Sequence, residues 1–377
     1  MRKYSISATL DILERDLMHP MDRRILSLSV ASGVTQADLD KALEGWDIEK
    51  SPIQVVLALS YLLKSRPDLV FPESMSPRLK GVITFCRFQN LKLSSHFNRI
   101  AKALNDAAIP FAILKGGAMK VYRPDYPRWM SDIDLLIEGD EDRFKKAESL
   151  IVSLGYEPYR DVHSTDMHVP GEENGVVDIH RYIHTGSERP YAISGDVLSR
   201  ASLRPVFSAE ALLPCPEDMV FISLANLSNN ISEKTSHDSV INVFFDLGYL
   251  LNCRSSFDWD IVREDAQKSM ASSRIRLMAM LLDRYIPGVI PEGFMSGEAD
   301  KEELESLCFR VLYRRFVLSP RRLEIGEFDL RKAIRSCRPL PLYLVRRARY
   351  FFLKRFYSIP FLASSILDNS LKRLAAR

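Results

Sequence analysis

The stretch LKGGAMKVYRPDYPRWMSDIDLLI, residues 114–137, places two glycines and two aspartates among short apolar segments. Its last part, SDIDLLIE (131–138), has the length and composition of a β-strand. Asp132 and Asp134 lie two positions apart, so they would share one face of this strand and repel each other. A strand that only packs gains nothing from such repulsion. A bound cation would relieve it, and Mg²⁺ is commonly held by one or two carboxylates together with substrate phosphates.

The two glycines lie where a strand is expected to pass into a helix. The apolar FAIL (111–114) predicts a short buried strand, and AMKVYRP predicts a helical turn or two that Pro124 ends. Gly116 and Gly117 stand between these elements. Since they lack side chains, they would let backbone N–H groups and a helix N-terminus approach a phosphate closely.

A third carboxylate lies further along the chain, in a second predicted strand that contains VVDIH (176–180). Asp178 could complete a two-metal site there, in which two ions activate an attacking hydroxyl and stabilise a leaving pyrophosphate. His180 would share the strand face of Asp178. It either supports a metal-binding carboxylate or is a structural histidine bonded to the backbone. Zinc is not favoured, because no His or Cys pair has ligand spacing.

The whole chain has the composition of an ordinary globular protein. Its 377 residues are 46% hydrophobic and 27% charged, with a net charge of +3, which does not by itself indicate nucleic-acid binding. The five cysteines are scattered and show no CxxC spacing, which is typical of a reducing compartment. A charged N-terminal stretch and the lack of a long apolar run favour a cytoplasmic protein without a transmembrane segment.

Three regions are predicted, and together they give an α+β fold class. Residues 1–90 are expected to be helical, with Thr35 and Asp38 spaced as a capping box. Residues 91–204 alternate helices and strands and form a small α/β domain, and 205–377 form a C-terminal α-helical domain. The end of the chain, 341–377, has eight basic residues and one acidic residue. It could bind RNA, anionic lipid or an acidic partner, but solvated helices carry similar charge, so nucleic acid is not favoured.

The order strand, Gly-Gly, helix, D-x-D strand and later lone Asp resembles the DNA polymerase β nucleotidyltransferase superfamily. More narrowly, ILKGGAMKVYRPDYPRWMSDIDLLI followed by VVDIHRYIH resembles an uncharacterised bacterial nucleotidyltransferase family with LKG…Y…R…SDIDLL and a later (D/E)-x-H. The likeness covers about residues 95–190 and extends more loosely to FFDLGYLL (244–251) and PLYLVRRARYFFLKR. The chain departs from the family at ANLSNNISEK (225–234), where the resemblance implies a histidine-rich helix.

The resemblance implies a polymerase β-like domain flanked by helical regions, and a role for each motif residue. Metal ions would be held by Asp132 and Asp134, the site would be completed by Asp178, and triphosphate would be bound by Gly116 and Gly117. Lys115 and Arg128 could neutralise phosphate charge, Lys115 as a point charge and Arg128 with its two-pronged guanidinium. Lys115 could equally be a solvated residue at a strand end. Asp246, within an apolar helix, is either a buried acid paired with an arginine or a wall of the cleft.

The implied activity is Mg²⁺-dependent transfer of a nucleoside monophosphate from an NTP to a hydroxyl or amine, with two ions expected. The acceptor could be a small molecule, a sugar, a peptide or another protein. Two alternatives remain open. One is transfer of pyrophosphate or phosphate on the same scaffold, and the other is a catalytically weak binding or regulatory module.

Overall fold

A computed structural model of the chain describes residues 5–31, 33–161, 163–172, 174–183, 193–233, 237–252, 257–295 and 301–312. Within these residues the α-helices are α1 (Ile6–Leu17), α2 (Pro20–Val30), α3 (Gln36–Leu43), α4 (Ile53–Ser65), α5 (Ser76–Asp106), α6 (Lys115–Tyr122), α7 (Glu141–Ser153), α8 (Ser194–Arg200), α9 (Pro216–Glu233), α10 (His237–Asn252), α11 (Trp259–Lys268), α12 (Ser272–Tyr285), α13 (Glu292–Met295) and α14 (Lys301–Leu312). The strands are β1 (Phe111–Ile113), β2 (Ile133–Ile137), β3 (Glu157–Arg160), β4 (Ser164–His168), β5 (Gly175–His180), β6 (Ser202–Val206) and β7 (Ala209–Leu213). The basic stretch 341–377 lies outside the described residues.

One mixed sheet joins these strands in the order β3-β4-β5-β2-β1-β7-β6. β2 is parallel to β5 and antiparallel to β1. Asp134 on β2 pairs directly with Asp178 on β5. Because paired residues on neighbouring strands project from the same face, the register brings two of the predicted metal-binding carboxylates together. The mixed α/β architecture predicted from the motifs is confirmed.

The D-x-D strand is shorter than predicted. β2 begins at Ile133 instead of residue 131, so Asp132 precedes the strand and only Asp134 belongs to its ladder. As predicted, β1 covers most of the FAIL segment and α6 ends at Tyr122, before Pro124. However, α6 already begins at Lys115, so Gly116 and Gly117 lie in its first turn and not between the two elements. The predicted capping box is also confirmed, because the Thr35 and Asp38 side chains each accept the other's backbone N–H.

A hairpin formed by β6 and β7 was not predicted. β7 pairs in parallel with β1 through Ala112 and Leu212, and this pairing extends the sheet. The region predicted as a C-terminal α-helical domain, 205–377, therefore opens with strand residues up to 213. β6 is exposed along most of its length and contains Pro205, so it lacks the alternation that marks a strand. All described residues belong to one compact unit, and the predicted three-region division remains a prediction.

The N-terminal helices support the loop of residues 123–132, which connects α6 to β2. Gln54 on α4 donates its Nε2 proton to the Pro127 carbonyl at 3.2 Å, and its Oε1 accepts from the Trp129 N–H at 3.0 Å. Asn90 on α5 donates to the Arg128 carbonyl at 2.8 Å. The loop backbone is thus held from two helices before it enters the strand. No helix among the described residues combines the length and apolar character required to cross a membrane.

Candidate active site

The centre of the site is a histidine between two carboxylates. Asp134 and Asp178 are buried, and the His180 Nε2 lies 2.9 Å from the Asp134 Oδ1 and 3.1 Å from the Asp178 Oδ2. Burial alone would lower the pKa of His180, but the Asp178 and Asp134 carboxylates outweigh burial and raise it to about 9. The imidazole is therefore protonated at neutral pH and bridges the two carboxylates as a cation. Of the two roles predicted for His180, the structure favours support of the carboxylates.

Lys115 is the second cation of this centre. As the first residue of α6 it has a φ of +46°, a region that costs a residue with a side chain about 1–2 kcal/mol. Its Nζ lies 2.5 Å from the Asp134 Oδ1. Burial opposes its charge, yet the Asp134 and Asp178 carboxylates raise the pKa of Lys115 above its ordinary value. Lys115 is therefore an ion-paired group, and the alternative of a solvated strand end is wrong.

Asp134 and Asp178 remain ionised because of these two cations. Burial by itself would raise the pKa of Asp134, but the Lys115 ammonium and the His180 imidazolium hold it well below its usual range. The same competition applies at Asp178, where burial is outweighed by His180 and the pKa is lowered. Two carboxylates and two cations therefore lie against each other on one face of the sheet.

Asp132 behaves differently, because no cation pairs with it directly among the described residues. It is half-buried, and its Oδ1 accepts a hydrogen bond from the Ser131 hydroxyl at 2.9 Å. Burial and the charge of Asp134 raise the pKa of Asp132 to about 6, although Lys115 opposes the shift. The repulsion that the D-x-D motif predicts is thus concentrated on Asp132, and a divalent cation would relieve it.

Asp166 is a fourth carboxylate of the site, and sequence reasoning missed it. It pairs with Asp178 across the antiparallel strands β4 and β5. Burial, followed by the charges of Asp178 and Asp132, raises the pKa of Asp166 to about 6. The sequence indicates an extended segment around Asp166 but contains no signal for its register. Only strand pairing reveals that this acid faces the others.

The residues fit a hard divalent cation. Asp134 and Asp178 each offer a carboxylate oxygen, and these oxygens lie within 4.8 Å of each other and of the His180 ring nitrogen, which can ligate only as the neutral imidazole. The Asp178 Oδ1 is buried and makes no hydrogen bond within the described part of the chain. A buried carboxylate oxygen without a partner is unfavourable, and a bound cation would supply the missing interaction. The sequence predicts Asp132 as a metal ligand beside Asp134 and Asp178, and that assignment remains a prediction.

A cleft of about 190 Å³ opens beside the carboxylates, between the sheet and the helices α9 and α10. Its described lining residues are Lys115, Gly116, Arg128, Met130, Ser131, Asp132, Asp134, Ser223, Asn226, Asn230, Ser239, Asn242, Val243 and Asp246. Asn226 and Asn230 belong to the ANLSNNISEK segment, where the resemblance implies histidines. That segment thus contributes amide side chains to the cleft wall. The i, i+3 and i+7 spacing of Ser223, Asn226 and Asn230, which places them on one face of α9, was the sequence signal for it.

The two glycines face different surroundings. Gly116 lines the cleft, and a Cβ placed on it would lie 3.1 Å from the Met130 Cγ and 3.4 Å from the Arg128 Cζ. A Cβ on Gly117 would instead lie 2.6 Å from the Ile113 Cδ1, inside the core. Packing against β1 is therefore sufficient reason for glycine at 117. The predicted binding of triphosphate by both glycines remains a prediction.

Arg128 and Asp246 pair at the far wall of the cleft. The Arg128 Nε lies 3.0 Å from each oxygen of Asp246, and its Nη1 donates to the Trp129 carbonyl. Asp246 also accepts from the Tyr126 hydroxyl at 3.0 Å. Both alternatives predicted for Asp246 are realised, since it is a buried partner of an arginine and also lines the cleft. The predicted phosphate contact of Arg128 would have to be made by the remainder of a guanidinium that is already engaged.

A carboxylate cluster beside a glycine-containing strand-to-helix junction is suited to a metal-bound phosphate, which is the substrate group of a nucleotidyltransferase. The chain belongs to the family described as uncharacterised nucleotidyltransferase, whose model matches residues 54–287. That range includes every site residue named above. A comparison with curated proteins found no significant match.

Two solved structures are similar to parts of the chain. An antigenic nucleotidyltransferase-like protein from Paracoccidioides brasiliensis is 17% identical, with a TM-score of 0.30 over 49% of this chain and 92% of that one. The antibiotic-resistance factor ANT(2'')-Ia is 13% identical, with a TM-score of 0.32 over 52% of this chain and 94% of that one. Both TM-scores are low, so the family assignment rests on the sequence match.

Proposed function

We propose that the protein is a cytoplasmic Mg²⁺-dependent nucleotidyltransferase with a polymerase β-like catalytic domain, which moves a nucleoside monophosphate from an NTP to a hydroxyl or amine. The observation that carries the proposal is the paired position of Asp134 and Asp178, with the Asp178 Oδ1 buried and lacking a partner among the described residues. Free cysteines at 86, 215 and 308 agree with a reducing compartment.

Each site residue has a part in this reaction. Asp132, Asp134 and Asp178 would hold the metal ions, and Gly116 with its neighbouring backbone N–H groups would receive the phosphates. When bound, Mg²⁺ would neutralise phosphate charge and lower the pKa of the acceptor hydroxyl. Lys115 is already held at the site by Asp134 and supplies a permanent positive charge beside the triphosphate.

The transfer balances as an in-line displacement at phosphorus. The acceptor oxygen or nitrogen forms a bond to the α-phosphorus, while the bond from the α-phosphorus to the oxygen bridging to the β-phosphate breaks. Pyrophosphate leaves with that bonding pair, and the acceptor proton is released to solvent. The acceptor approaches on the Asp178 side, because the cleft beside Asp132 and Asp134 is taken by the nucleotide.

Two radioactive labels test the proposal. Incubation with α-labelled NTP, Mg²⁺ and a pool of small molecules, sugars and proteins should transfer the label and release pyrophosphate. Asp178→Ala should keep much of the NTP binding, which Asp132 and Asp134 carry, but lose transfer by orders of magnitude. Transfer of a γ-label instead would support phosphate transfer. NTP binding without transfer of any label would support a binding module, and transfer at the parental rate in Asp178→Ala would refute the role of Asp178.

A further inference from the structure

The helical wall of the cleft contrasts with the sheet side in charge. The described lining residues on α9 and the first part of α10 are neutral hydrogen-bonding groups, namely Ser223, Asn226, Asn230, Ser239 and Asn242. Of the described cations that line the cleft, Lys115 belongs to α6 on the sheet side, whereas Arg128 is already paired with Asp246 of α10 at the far wall. Phosphate charge is therefore best received on the sheet side, and a neutral group on the helical side.

Asn242 on α10 gives this wall a specific feature. Its side chain lines the cleft and is only 9% exposed, yet its Oδ1 makes no hydrogen bond within the described part of the chain. A buried carboxamide oxygen without a partner costs stability that an apolar side chain of the same shape would not. Its position is explained if a ligand supplies a hydrogen-bond donor, such as a ribose hydroxyl or an exocyclic amine of a base.

The position of the cleft limits what that ligand can be. The described lining includes Asp132, Asp134 and Gly116, which lie on the expected nucleotide side, whereas Asp166 and Asp178 are not among it. The volume of about 190 Å³ is below the ~300–1,000 Å³ that encloses a whole drug-sized ligand, so part of a bound NTP would lie outside the cleft. With the phosphates at Gly116 and Lys115, the part that reaches α10 is the sugar and base.

We propose that Asn242, with Asn226 on the facing helix α9, forms a subsite for the neutral nucleoside part of the NTP. This inference rests on the proposed function, because it assumes that an NTP enters the cleft. The subsite assigns a role to Asn226, which lies in the segment 225–234 where the chain departs from the family pattern. It also divides the cleft into a charged half that receives phosphate and a neutral half that recognises the nucleoside.

The test compares the Mg²⁺ complexes of the four NTPs with that of inorganic tripolyphosphate, which has no nucleoside, by calorimetry on the full chain. Asn242→Leu should raise the Kd of the best-bound NTP about tenfold, as expected for the loss of one or two hydrogen bonds. It should leave the Kd of tripolyphosphate unchanged. Its melting temperature should stay the same or rise, because an unpartnered buried oxygen is removed. Asn226→Leu should weaken NTP binding in the same selective way.

Ser228→Ala is the matched control, because Ser228 is a buried α9 residue whose hydroxyl also lacks a described partner but which is not among the described cleft residues. Ser228→Ala should change neither the affinity for NTP nor the affinity for tripolyphosphate. Parental NTP affinity in Asn242→Leu, or an equal loss of tripolyphosphate, would overturn the subsite while leaving the proposed function intact. A parent protein that binds neither NTP nor tripolyphosphate would overturn the proposed function, and the subsite with it.

Discussion

Arg128 and Asp246 form a buried ion pair that joins the loop before β2 to the helix α10, with the Arg128 Nε 3.0 Å from both carboxylate oxygens. Burial raises the pKa of Asp246, and Arg128 works against that rise. The Tyr126 hydroxyl donates to the same carboxylate, so three polar groups depend on one another in a site with little access to water. The far wall of the cleft is therefore fixed by charge pairing.

Removal of one partner of this pair should destabilise the folded protein. Asp246→Leu leaves the Arg128 guanidinium buried without its carboxylate, and we expect the free energy of unfolding to fall by about 3–5 kcal/mol. Arg128→Leu should cost a similar amount. The double variant should recover part of the loss, because no unpaired charge remains, although the Tyr126 hydroxyl still lacks its acceptor. Urea unfolding of the three variants measures this, and losses that simply add would contradict the coupling.

Asn substitutions at Asp132 and Asp134 should have opposite effects on stability. Asp132→Asn removes a carboxylate whose pKa is already raised to about 6, so the melting temperature should rise. Asp134→Asn leaves Lys115 and His180 without their shared carboxylate, and the free energy of unfolding should fall by about 1–3 kcal/mol. Both variants should lose Mg²⁺-dependent NTP binding. Calorimetry with Mg²⁺-NTP checks the last point, and parental affinity in both variants would disprove the metal assignment.

Alanine substitutions at Gly116 and Gly117 should distinguish a glycine that is required for NTP binding from one that is required for core packing. Gly117→Ala places a Cβ 2.6 Å from the Ile113 Cδ1, and such overpacking should cost about 1–3 kcal/mol of stability. Ile113→Ala in the same chain should relieve the clash. Gly116→Ala meets Met130 and Arg128 at the cleft, so NTP affinity should fall more than stability. Thermal melts and NTP titrations of the three variants test this, and an NTP affinity that is unchanged in Gly116→Ala would show that the phosphates lie elsewhere.

The stability of the protein should depend on pH through Asp265, a buried acid on α11 that is distant in sequence from the metal-binding strands. The Arg200 Nη2 lies 2.6 Å from Asp265 and 2.5 Å from Asp218. Burial raises the pKa of Asp265 to about 6, against the pull of Arg200. Because an unfolded aspartate titrates near ~3.9, the folded state binds a proton more readily, and this contribution to stability is lost as the pH rises through about 6.

Asp265→Asn should therefore gain stability relative to the parent as the pH is raised. We expect the difference in unfolding free energy between the two proteins to shift in favour of the variant by about 1–2 kcal/mol from roughly pH 4 to pH 7. Chemical unfolding at both pH values measures the difference. A constant difference would mean that Asp265 titrates alike in the folded and unfolded chain.

The residues that could be predicted from the sequence are those whose signal is local. The strand of Asp134, the glycines at a strand-to-helix junction and the later strand of Asp178 each follow from a few neighbouring residues. The partners of Lys115 and Arg128 could be guessed only by charge type, because which acid each cation meets depends on chain segments far apart. Asp166 could not be found at all, since its role depends on the register between β4 and β5.

The β6–β7 hairpin could not be predicted either, because its pairing also depends on distant parts of the chain. Its attachment to the sheet is the parallel pairing of Leu212 with Ala112, about a hundred residues earlier in the chain. No local pattern encodes such a partner, and Pro205 in an exposed strand argues against strand formation. The asparagines of α9 were visible as a polar stripe. Their role in lining the cleft could be inferred only from the structure, which places α10 opposite them.

The support of the 123–132 loop by Gln54 and Asn90 has a consequence for how the family can vary. Both amides bond to the main chain of Pro127, Arg128 and Trp129, and neither depends on which side chains the loop carries. Substitutions in the loop can therefore alter the chemistry of the cleft without altering the course of the backbone. Gln54 and Asn90 belong to the N-terminal helices, and neither lines the cleft among the described residues. Because they hold the loop backbone, relatives could bind different substrates without a change in the backbone of this loop.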